Sequence, residues 1–128
     1  MVSTKTKKNL KKGRYIFIAI FLTIIIFAFF DYLVHLTSEE YSVPSYYFKN
    51  KIIYGTLWGI LFYAILNIWK TNIALKSFIF SLLISTVLQA RYFYEGYSLE
   101  FVIEFLFFHF FILWIVSYII FKIFKDKI

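Results

Sequence analysis

The sequence predicts an all-α fold: a polytopic membrane protein built as an antiparallel bundle of four transmembrane helices. Four long apolar runs, near residues 15–36, 46–69, 73–94 and 99–121, fill most of the chain. Each is long enough to cross a bilayer as a helix. The composition, 62% hydrophobic and 16% charged over 128 residues, leaves too little polar surface for a water-soluble domain. The basic residues gather at the ends of the runs, as they do in membrane proteins. Residues 1–14 therefore read as a basic cytoplasmic tail, 15–124 as one transmembrane domain and 125–128 as a cytoplasmic end.

Lys7, Lys8, Lys11, Lys12 and Arg14 in the tail face no acidic neighbour, so they read as an orientation signal that also touches anionic lipid headgroups. The tail and first run look like a signal peptide, but no small-x-small cleavage site follows, and an uncleaved anchor is expected. Asp31 and His35 lie four residues apart near the far end of this run, on one helix face. Pro44 ends the following loop, and Ser45 is the expected N-cap of the second run.

Gly55 and Gly59 in that run expose backbone on one side, where another helix can approach closely. Lys70-Thr71-Asn72 is too short for anything but an antiparallel hairpin, with Thr71 the expected N-cap of the third run. Ser77, Ser81 and Ser85 make a second small-residue seam, continued by Gln89. Arg91 sits at the end of this run, where a guanidinium suits the helix dipole and reaches the headgroups. Gly96 fits a left-handed turn position, and Ser98 fits the N-cap of the fourth run.

Charge asymmetry sets the expected orientation. With both termini cytoplasmic, that side holds the six bases of the tail together with Lys70, Lys76, Lys122, Lys125 and Lys127. The opposite side holds only Lys49, Lys51 and Arg91. The net charge of +7 is thus a matter of topology, and no nucleic-acid platform is expected. The absence of cysteine excludes disulfides, thiolate metal sites and cysteine nucleophiles. No HExxH, GxSxG or glycine-rich phosphate loop occurs, so no catalytic residues are assigned and an enzyme is not expected.

The chemistry to explain is a set of ionisable residues near one end of the predicted bundle: Asp31, His35, Arg91, Glu100 and Glu104. A charge inside hydrocarbon costs about 2.5–3.5 kcal/mol on insertion scales, so it normally has a partner. Arg91 is the expected partner of Asp31 or Glu104. His109 lies about 140° around the helix from Glu104 and about 180° from Glu100, so one site using all three is not expected. His35 with Asp31 or Glu104 could bind a metal. His35 and His109 could ligate haem, but their different predicted depths disfavour it, and no cofactor is assigned. Size, absent motifs and the two seams point to a non-catalytic subunit or assembly partner of a larger membrane complex, or to a homo-oligomer. The alternative is a small oligomeric proton- or ion-coupled transporter or channel working through the carboxylates and Arg91.

Overall fold

A computed structural model describes residues 3–128. They form four α-helices: α1 (Thr4–His35), α2 (Tyr46–Leu66), α3 (Ile73–Tyr94) and α4 (Leu99–Ile123), with a short 3-10 turn at Glu39–Tyr41. The helices close a ring in which α1 packs on α2 and α4, and α3 packs on α2 and α4. Neighbours run antiparallel. Going along α1 from Ile20 to Asp31, the partners on α2 fall back from Gly59 to Lys51. Likewise, Ser81 and Gln89 of α3 meet Ser117 and His109 of α4.

α1, α3 and α4 are each long and apolar enough to cross a membrane, which makes this an integral membrane protein. α2 has 21 residues but dilutes its apolar content with Lys49, Asn50, Lys51, Thr56 and two glycines. The basic stretch is not separate from the first run. Ser3 caps the helix through its hydroxyl, which accepts from the Thr6 amide at 3.2 Å, and residues 4–14 are exposed turns of α1. The first two residues of the expected tail lie outside the described residues.

Two expected caps differ. Ser45 precedes α2 in helical backbone geometry and makes no side-chain cap. At α3 the cap is Asn72, not Thr71; the Asn72 Oδ1 accepts from the Leu75 amide at 2.8 Å. The helix itself begins at Ile73, where the third run was expected to start, and the residue immediately before it, Asn72, caps it. α2 also stops at Leu66 rather than at Trp69, the last residues turning away into the hairpin. Gly96 does take the left-handed conformation, at φ +93°, and Ser98 does cap α4.

The interior is laid down by residues spaced in fours. Tyr47, Lys51, Gly55, Gly59 and Tyr63 form the buried stripe of α2; Ser77, Ser81, Ser85 and Gln89 that of α3; Phe101, Phe105, His109, Leu113 and Ser117 that of α4. One apolar layer holds Ile20, Ile24, Phe27, Phe80, Ile84, Leu113 and Phe121. A second, aromatic layer holds Tyr47, Tyr92, Phe101 and Phe105. Outward, α2 presents Ile53, Leu57, Trp58 and Leu61, and α4 presents Phe107, Phe111 and Ile115. That surface suits lipid tails.

Candidate functional site: a buried charge centre on Asp31

Asp31 is wholly buried, and every helix supplies something to its surroundings. Its Oδ2 accepts from the Lys51 ammonium of α2 in a buried ion pair. Its Oδ1 lies 2.7 Å from Nε2 of His109 on α4. His35, one turn along α1, holds its Nε2 at 3.4 Å from Oδ2 and 3.3 Å from the Lys51 Nζ. Behind His109, the Gln89 amide nitrogen of α3 lies 2.5 Å from Nδ1.

The hydrogen bonds fix the imidazole tautomers. His35 Nδ1 is 2.6 Å from the carbonyl oxygen of Tyr41, which only accepts, so Nδ1 carries the hydrogen. The Nε2 lone pair of His35 then faces Lys51 and accepts from it. His109 donates Nε2–H to Asp31, and its Nδ1 accepts from Gln89. In this arrangement each ring uses both of its nitrogens, and Lys51 is the ammonium bonded directly to Asp31. The Gln89 Oε1 is buried with no hydrogen-bond partner among the described residues, as is the Tyr92 hydroxyl.

Aromatic rings wall the centre. His35 stacks on Phe105 at 4.3 Å with the planes 10° apart, and Phe27 meets His109 edge-on at 5.2 Å. The Lys51 ammonium lies 5.1 Å over Tyr92 and 5.2 Å over Phe48, where ring quadrupoles favour a cation. Beyond Lys51 a cavity of about 200 Å³ opens between α2 and α3, lined by Tyr47, Lys51, Tyr54, Leu88, Arg91 and Tyr92 among others. The short turn after α1 folds across the top, with the Tyr41 ring against Phe105 at 5.1 Å and Phe108 at 6.3 Å.

Of the expected polar cluster, Asp31 and His35 are in the centre; Arg91, Glu100 and Glu104 are not. Arg91 is half-exposed and bonds Glu95 one turn on, at 3.1 Å, with its guanidinium near the Tyr47 and Tyr54 rings. The Tyr47 hydroxyl donates to the same Glu95. Glu100 is exposed. Glu104 is half-buried beside Tyr41, whose phenol it pushes above the ordinary range. The carboxylates split because Glu100 and Glu104 project from the far side of α4, the angular separation from His109 that the sequence gives.

Lys51 replaces Arg91 as the counter-charge because it lies on the buried stripe of α2, whereas Arg91 projects outward from the last turn of α3. The depth argument against the two histidines sharing a site also fails. α1 stops at His35, which stacks on Phe105 in the second turn of α4, and its following turn lies along the start of α4, so Asp31, one turn earlier, comes level with His109. Ligand atoms of Asp31, His35 and His109 all lie within 4.8 Å of one another.

The other expected positions have plain packing roles. A Cβ on Gly55 would meet Ile24 at 3.1 Å, and one on Gly59 would meet Ile20 at 2.7 Å, so both glycines admit α1. Ser81 and Ser85 are buried and donate to the carbonyls four residues back, at 2.7 and 2.6 Å; Ser77 donates to Ala74 at 3.0 Å. Ser81 also reaches Ser117 of α4, at 3.1 Å. Lys7, Lys8, Lys11, Lys12 and Arg14 are exposed on the first turns of α1. Comparison with known protein families, curated proteins and solved structures finds no significant match.

Proposed function

We propose that all four helices cross a bilayer with both termini cytoplasmic, and that the protein is a small, non-catalytic, ion-coupled transporter or channel. Its cation-accepting group is Asp31. The observation that carries this reading is the buried Asp31–Lys51 pair with its two imidazoles, drawn from α1, α2 and α4 and backed by Gln89 of α3. Replacing a buried ion pair by apolar side chains of similar volume is often neutral or stabilising by about 1–4 kcal/mol. Such a centre is therefore not needed to hold an apolar bundle together, and ionisable groups inside membranes commonly mark ion pathways.

The spanning of α2 rests on its two faces. Its charged Lys51 and its glycines turn inward, while Ile53, Leu57, Trp58 and Leu61 turn outward. At about 1.5 Å per residue, α2 reaches roughly 31 Å. The lipid bilayer is the expected surround, with anionic headgroups at the bases of the first α1 turns. Membership of a larger complex is less well supported, because both seams are used within the chain: Gly55 and Gly59 against α1, Ser81 against α4.

Reconstitution into liposomes under an imposed gradient tests the reading, with an entrapped pH-sensitive dye for protons and a chelating dye for divalent cations. Wild-type protein is expected to carry flux that Asp31→Asn abolishes and Glu104→Gln leaves near the wild-type rate. Flux that survives Asp31→Asn, or no flux at all, contradicts it.

A further inference from the structure

We infer that Asp31, His35 and His109 form a binding site for a divalent transition-metal cation, whose place beside Asp31 and His35 is taken in this structure by the Lys51 ammonium. The inference rests on the ion-carrier reading above and names the class of its cargo. One carboxylate and two neutral imidazoles suit zinc, cobalt or nickel better than the hard cations, which prefer oxygen alone.

Three features go beyond mere proximity. The His35 tautomer is already set for ligation: its Nδ1–H is tied to the Tyr41 carbonyl at 2.6 Å and its Nε2 lone pair faces inward. That is the outer-shell bond a metal-ligating histidine normally makes. His109 can reach the same state with no net change in protons. Its hydrogen moves from Nε2 to Nδ1 and the Gln89 amide turns over, so that Oε1, now without a partner, accepts from Nδ1–H. Finally, Lys51 already occupies a cation position, bonded to Asp31 and 3.3 Å from the His35 lone pair.

Displacement has a route. The cavity between α2 and α3 begins at Lys51 and reaches the half-exposed Arg91, so the lysine can swing into it as the metal enters by the same path. Bonds of about 2.0–2.1 Å require ligand atoms roughly 3.3 Å apart in a tetrahedral site. His35 Nε2 and Asp31 Oδ2 are 3.4 Å apart, and the three groups close on one ion by small side-chain movements.

The test is titration of the full chain, purified in mild detergent, with Co²⁺ alone, read by visible absorption, and with Zn²⁺ as competitor. One Co²⁺ per chain is expected. His35→Gln and His109→Gln should each weaken binding at least about ten-fold, and Lys51→Gln, which removes the competing ammonium, should tighten it by a similar factor. Should Lys51→Gln fail to fold, the wild type and the two histidine variants decide the matter alone. No saturable binding, or binding unchanged in both histidine variants, overturns the inference. Proton or monovalent-cation flux without Co²⁺ binding sinks the metal assignment and keeps the ion-carrier reading; Co²⁺ binding without flux does the reverse.

Discussion

Lys51 and Asp31 form the one contact from which the rest of the centre follows, because each is buried and neither could stay charged without the other. Removing one partner strands a charge, which typically costs about 3–5 kcal/mol. Asp31→Asn and Lys51→Met are each expected to lower thermal stability in detergent strongly, and the double variant to lose much less than their sum. Additive losses would mean that the pair does not form. Arg91→Gln is the control: a half-exposed pair with Glu95 contributes about 0–1 kcal/mol, and little change is expected. Asp31, His35 and His109 stand out in the sequence as ionisable groups in apolar runs. Lys51 does not, because it follows Lys49 at the edge of a run, where bases are ordinary. Its signal lies in spacing: counting back in fours from Gly59 and Gly55 leads to Lys51 and then Tyr47.

Helices in this protein meet along stripes whose members recur every fourth residue, and the smallest side chains set the approach. A Cβ at Gly59 would lie 2.7 Å from the Ile20 Cγ2, a methyl held close to the backbone on a β-branched, wholly buried side chain. Gly59→Ala is therefore expected to destabilise by about 1–3 kcal/mol through overpacking, and Ile20→Ala added to it should recover part of the loss. Gly13→Ala meets nothing within 4 Å and should be neutral or mildly stabilising. A midpoint shift in thermal unfolding reads all three; equal effects at Gly59 and Gly13 would deny the close approach of α1 and α2. The seams were legible because small residues at intervals of four have few other uses in an apolar helix. Which neighbour each seam faces was not, since Gly55 and Gly59 have no side chain to indicate whether α1, α3 or another chain covers them.

Across the whole molecule, the four helices enclose a charged centre within an apolar shell, and the polar side of α2 is what completes the enclosure. Three spanning helices were plain from length and apolarity. Where their ends would come level was not, because the turn at Glu39–Tyr41 drops beside α4 and brings Asp31 opposite His109. No run-by-run estimate of depth contains that offset. The enclosure requires α2 to cross the bilayer between α1 and α3. The chain contains no cysteine, so single cysteines at Ser42, Lys70, Tyr94 and Lys125 can be labelled without background, using a membrane-impermeant maleimide on intact cells and on opened ones. Ser42 and Tyr94 are expected to label from outside, and Lys70 and Lys125 only once the cells are opened. Labelling of Ser42 and Lys70 from the same side would place α2 on the membrane surface and contradict a centre enclosed by four spans.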